Sequence, residues 1–111
     1  VGTAYLLCPE ATTSPIHRAA LKSPAAHVTA ITNVFSGRPA RGIVNRLMRD
    51  LGPMSALVPE FPLASSAIAP LRSKAESLGS GDFSNMWAGQ NTTGCQEIPA
   101  ADLTRQLARA L

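Results

Sequence analysis

The run His27 to Phe35 constrains the fold of this chain more than any other stretch. Val28, Thr29, Ile31, Thr32 and Val34 crowd β-branched side chains together, and such residues favour extended backbone. The alternation is not cleanly apolar and polar, so the strand is expected to be covered on both faces. A strand exposes a row of N–H and C=O groups that must be paired, yet no second run of this quality follows. Val1 to Leu7 reads as the end of another buried strand, a turn and a short apolar element closed by Pro9, and it too lacks a partner. Two unpartnered strands predict a piece of a larger fold, with the rest of the sheet upstream.

The remainder reads as helices. Nine Pro and eight Gly cut the 111 residues into short pieces, enough for one domain and not two. Ser14-Pro15 is a helix start, with a capping hydroxyl and a proline preformed for the first turn. Ser36-Gly37-Arg38-Pro39 is a turn. Ile43, Val44, Leu47, Met48 and Leu51 follow it as one continuous helical stripe, stopped by Gly52-Pro53. Leu63 to Leu78 reads as a helix with Ser65 or Ser66 near its start and an apolar face of Ile68, Leu71, Ala75 and Leu78. Pro70 should kink it or mark its true first turn. Pro99 opens a last helix with Leu103, Leu107 and Leu111 stacked.

Bulk properties narrow the function. A net charge of +3 without a basic stripe gives no sign of nucleic-acid binding. Apolar runs fall far short of the ~18 residues that span a bilayer. Cys8 and Cys95 lack metal or redox spacing and read as ordinary thiols in a reducing compartment. The expectation is a cytoplasmic protein, and the Asn91-Thr92-Thr93 sequon is read as chance.

Candidate site residues are few. Glu10, Asp50, Glu60, Asp82 and Glu97 are scattered and read as surface or capping groups. His17 is expected to be solvated and His27 to precede the strand. Arg38, Arg41, Arg46 and Arg49 offer either an anion site or a solvated helix face with one Arg pinning the turn; the second reading is preferred. Tyr5 and Trp87 read as packing residues. Trp87-Ala88-Gly89-Gln90 is either a loop that brings backbone and an amide against a ligand or a helix-entry turn. Val1-Gly2-Thr3 has the makings of an anion-binding turn: a glycine that admits close backbone approach, a hydroxyl donor, and a helix behind them.

Several of these pieces occur together in one family. V-G-T-A-Y-L-L-x-P-E-A, T-x-x-F-S-G-R-P-A-R-G-I-x-N, L-R-x-K-A-E, W-A-G-Q and P-A-A-D-L-T-R-x-L run in the same order. The chain thereby resembles the C-terminal third of the bacterial nitronate monooxygenases, formerly called 2-nitropropane dioxygenases. The resemblance implies an α/β fold, the C-terminal portion of an FMN-binding (β/α)8 TIM barrel, mostly α-helical in this segment with one or two strands. In such barrels the phosphate site lies at the loops after strands 7 and 8. The family's strand-8 motif is Q-(V or M)-G-T, so Val1, Gly2 and Thr3 are implied cofactor-binding residues, with the Gln position before Val1.

The same resemblance divides the chain into residues 1–25, the end of the last barrel strand with its phosphate turn and helix, and 26–111, an outer helical subdomain. It implies oxidation of a small nitronate by O2, with FMN as cofactor, no metal, and no nucleic-acid or membrane partner. It leaves the oligomeric state open. The family's catalytic His lies upstream, and neither His17 nor His27 takes its place, so no catalytic residue is assigned and the isolated segment is expected to be inactive. Asn91-Thr92-Thr93-Gly94 departs from the family's Ala-rich continuation, so a helix there is expected to be shortened or frayed. Two alternatives stand beside this reading. One is a non-enzymatic helical module that binds an acidic partner through its arginines. The other is a related flavin-dependent enoyl reductase.

Overall fold

The structure is a computed structural model that describes all of residues 1–111. Its elements are a 3-10 helix (Gly2–Leu7), α1 (Pro15–Leu21), a second 3-10 helix (Pro24–His27), β1 (Thr29–Thr32), β2 (Ala40–Ile43), α2 (Arg46–Leu51), α3 (Leu63–Ser77) and α4 (Ala100–Arg109). No helix is long and apolar enough to cross a membrane.

The expected strand is present but shorter, and it is not alone. β1 pairs antiparallel with β2, Thr29 opposite Ile43 and Thr32 opposite Ala40. Ala40-Arg41-Gly42-Ile43 carries little intrinsic strand preference, so its pairing is a tertiary effect. A third segment lies along the other edge of β2. Gly42 bridges Trp87, Ile43 N–H donates to the Met86 carbonyl and Ala88 N–H to the Arg41 carbonyl. A Cβ on Gly42 would sit 3.2 Å from the Met86 carbonyl oxygen and 3.4 Å from the Trp87 ring. The missing side chain is what lets this segment close on the hairpin.

At the start of the chain no strand forms. Gly2–Leu7 winds into a 3-10 helix that buries Leu7 and supplies the short apolar element expected there. Beyond its first two N–H groups, its i→i+3 hydrogen bonds satisfy the backbone locally. The strand at Thr29–Thr32 thus finds its mate in the next element of the chain.

The five-residue stripe Ile43 to Leu51 is also divided. Ile43 ends β2, and the helix starts only at Arg46 with Asn45 as its N-cap, its side-chain oxygen accepting from Met48 N–H. The two amide hydrogens of buried Asn45 go to the Gly81 and Ser84 carbonyls. One residue thus caps a helix and ties down a loop almost forty residues away. Ile43 joins a core with Leu7, Leu21, Ala26, Met86 and Ala88. Leu47 and Met48 join a second one with Val34 and Phe35. Full burial of such side chains is worth about 1.5–3 kcal/mol each.

The other helices follow the sequence more closely. Ser14 caps α1 by accepting from His17 N–H, with Pro15 in the first turn. α3 runs unbroken through Pro70. Its inner face is Ala64, Ile68 and Ala75, while Leu71 and Leu78 are exposed, so only part of the expected face packs. Ser65 caps nothing; its hydroxyl donates to the Phe35 carbonyl. α4 starts after Pro99 and buries Leu103, whereas Leu111 lies beyond its end in solvent. Residues 91–98 contain no helix, where a shortened or frayed one was expected, and Thr92 is buried with its hydroxyl on the Ala26 carbonyl.

Candidate functional site

Val1, Gly2 and Thr3 form the start of the first 3-10 helix. Val1 and Gly2 are exposed and Thr3 is half-buried. A Cβ on Gly2 would find no neighbour within 4 Å. The Ala4 N–H donates to the Val1 carbonyl, whereas the Gly2 and Thr3 N–H groups precede the first hydrogen-bonded turn and find no acceptor within the chain. Two free backbone donors, an uncrowded glycine and a hydroxyl at one edge make a donor set suited to an anion.

Thr3 also does something that sequence order does not suggest. Its Oγ1 accepts a 2.8 Å hydrogen bond from the Gly89 N–H, and its carbonyl accepts from the Cys95 thiol at 3.4 Å. The V-G-T turn and the W-A-G-Q loop, 86 residues apart in the chain, are one structure. Gly89 is suited to the contact, because a Cβ there would come within 3.3 Å of Thr3 Oγ1.

The loop is anchored further along. The Trp87 carbonyl can only accept, so His17 Nε2 donates to it at 3.0 Å. His17 is half-buried rather than solvated, and burial holds its pKa below the ordinary 6.5 against the opposing pull of that hydrogen bond. The Trp87 ring meets Phe35 edge to face with centroids 5.8 Å apart, the packing role expected of it. Gln90 is exposed. Of the two readings of W-A-G-Q, the helix-entry turn is not what forms: Trp87 bridges β2 and no helix follows.

Around the turn, Arg18 is the main scaffold. Its guanidinium donates to the carbonyls of Leu7, Cys8, Ala11 and Thr13, closing the loop after the first 3-10 helix. Glu10 accepts from Ala100 N–H with both oxygens, at 3.0 and 3.1 Å, and so caps α4 at its positive end. Tyr5 shares a 2.8 Å hydrogen bond with Thr104. Lys22 pairs with Glu97 and holds that carboxyl below its usual range.

The four arginines do not converge. Arg38 lies 4.1 Å over the Phe61 ring, Arg41 donates to the Thr29 hydroxyl, and Arg46 pairs with Asp50. Arg49 borders a cleft of about 490 Å³ with Ile16, Ile43, Asp82 and Met86. A wider hollow of about 720 Å³ runs beside Leu6, Ser14, His17, Asn85 and Trp87. Neither includes Val1, Gly2 or Thr3. Burial raises the pKa of the Cys95 thiol, and both cysteines are free.

The chain is similar to known proteins along its whole length. A family model described as nitronate monooxygenase matches residues 1–110. The chain belongs to the nitronate monooxygenase family. It is 41% identical over 112 residues to a nitronate monooxygenase of Pseudomonas aeruginosa, covering 100% of this chain and 32% of that protein. A probable nitronate monooxygenase of Bacillus subtilis is 31% identical, with 96% and 31% covered. Among solved structures, a nitroalkane oxidase from Streptomyces ansochromogenes superimposes with a TM-score of 0.84 at 35% identity, over 98% of this chain and 31% of that one. The chain thus spans about a third of the length of these family relatives. A helix-rich segment with one small sheet, matched over nearly its whole length by that neighbour, is the C-terminal portion of the barrel fold the motifs imply.

Proposed function

We propose that this segment belongs to an FMN-dependent monooxygenase that oxidises small alkyl nitronates with O2. Its own share is part of the FMN phosphate site, carried by Val1, Gly2 and Thr3 within residues 1–25, with residues 26–111 as the outer subdomain. The names of the relatives, nitronate monooxygenase and nitroalkane oxidase, support the substrate class. The observation that carries the site is the turn itself: free Gly2 and Thr3 N–H groups, no crowding at Gly2, and the Thr3 hydroxyl beside them. When Gly89 donates to Thr3 Oγ1, the hydroxyl proton is left to donate elsewhere, which suits a phosphate oxygen.

Bound FMN supplies the electron-accepting and oxygen chemistry. This chain binds and orients the phosphate and ties the W-A-G-Q loop to the turn through Thr3. It supplies no base in this reading: His17 is engaged by the Trp87 carbonyl, and His27 ends a 3-10 helix outside the family motif. An acidic-partner module finds little support, since Arg38, Arg41 and Arg46 are all engaged within the chain.

Gly2→Glu tests the reading. The substitution puts a carboxylate beside the phosphate. Two like charges 4 Å apart repel by about 4 kcal/mol at a surface-like effective dielectric, and solvent screening lowers that. FMN binding in the full-length protein is expected to weaken by about 10- to 1,000-fold. Wild-type flavin content in the variant would defeat the assignment.

A further inference from the structure

The link between Thr3 and Gly89 carries a consequence for the cofactor. The segment Met86–Gly89 is tethered at its start by backbone hydrogen bonds to β2 and in its middle by His17. Gly89, at its end, is tethered by a single hydrogen bond, the one to Thr3 Oγ1. The exposed Gln90 follows directly. Thr3 is therefore both a member of the proposed anion turn and the last anchor of the loop. A hydroxyl that donates its proton to an anion becomes a stronger acceptor, because successive hydrogen bonds polarise one another. An anion on Thr3 tightens the Gly89 bond, and by reciprocity the Gly89 bond favours the anion.

We propose that Thr3 is a positioning residue that couples FMN phosphate binding to the ordering of the Trp87–Gln90 loop through its hydrogen bond with Gly89. The proposal rests on the phosphate-site reading above. It makes the loop responsive to cofactor without requiring that the loop touch the phosphate.

The test is amide hydrogen exchange at Gly89 in the full-length protein, with and without FMN. FMN should slow Gly89 exchange by about fivefold or more, the lower range of ordinary site-to-site coupling. Thr3→Ser keeps the hydroxyl and should keep that slowing. Thr3→Val removes the acceptor, so Gly89 should exchange fast in the apoprotein and respond to FMN by less than about twofold. The amide of Ala88, which is held by Arg41 rather than Thr3, should be the same in Thr3→Val as in wild type, which separates loss of the anchor from loss of fold. Equal Gly89 exchange in apo and FMN-bound wild type, with Gly2→Glu still preventing flavin loading, overturns the coupling and leaves the phosphate site standing. Normal loading of Gly2→Glu overturns both.

Discussion

Gly2 and Gly37 sit in turns that look equally purposeful in the sequence, V-G-T and S-G-R-P, yet the fold treats them in opposite ways. Gly37 adopts φ +90°, and a Cβ there would meet Phe61 N at 2.5 Å and the Pro59 carbonyl oxygen at 2.8 Å. Its neighbours are equally absorbed: Ser36 bonds across the turn to Arg38, and Arg38 covers Phe61. The V-G-T turn lacks that enclosure. Gly2 has empty space where a side chain would be, and the backbone donors beside it are unclaimed. A glycine that the chain's own packing explains needs no ligand to account for it. One that packing leaves unexplained is the better place to look for a ligand.

The sharpest way to break this comparison is Gly37→Ala. It forces a Cβ into backbone at a positive φ, and a loss of about 3–5 kcal/mol in chemical denaturation is expected from strain and overpacking together. A loss under about 1 kcal/mol would mean that the turn relaxes readily and that the contrast with Gly2 is false. Next comes Asn45→Ala, which removes a helix cap and strands the Gly81 and Ser84 carbonyls. About 2–4 kcal/mol is expected, with increased proteolysis in residues 79–85 as its local mark.

A smaller effect comes from pH. Burial lowers the His17 pKa in the folded state, so the unfolded chain binds the proton more readily. The neutral form's contribution is complete above about pH 6.5 and is lost as pH falls through the lowered folded value. His17→Gln keeps a donor for the Trp87 carbonyl and should flatten the acid side of the stability profile. The smallest effect belongs to Gly2→Ala, for which stability should stay within about 0.5 kcal/mol of wild type. A larger loss would show that packing claims this turn as fully as it claims the one at Gly37.

Helix ends were legible because their signals are local. Ser14 accepts from an amide three residues on, Pro99 precedes α4, and Gly52 at φ +82° closes α2. The hairpin was half-legible. Thr29–Thr32 announces itself through β-branched side chains, but Ala40-Arg41-Gly42-Ile43 becomes a strand only because β1 lies on one edge and Met86–Ala88 on the other. The one available hint was Gly42, whose absent side chain admits the Trp87 segment. His17 was misplaced for the same reason: it is set by a carbonyl that no helical pattern identifies.

By itself, then, the order of residues determined the helices, the turns and, through its motifs, membership of the family, because caps, prolines and short signatures act over a few neighbouring residues. The pairing of β2, the split of the Ile43–Leu51 stripe into two cores and the bond from Gly89 to Thr3 were decided by tertiary structure. Each depends on groups distant in the chain reaching hydrogen-bonding or packing distance, and no local preference encodes that meeting.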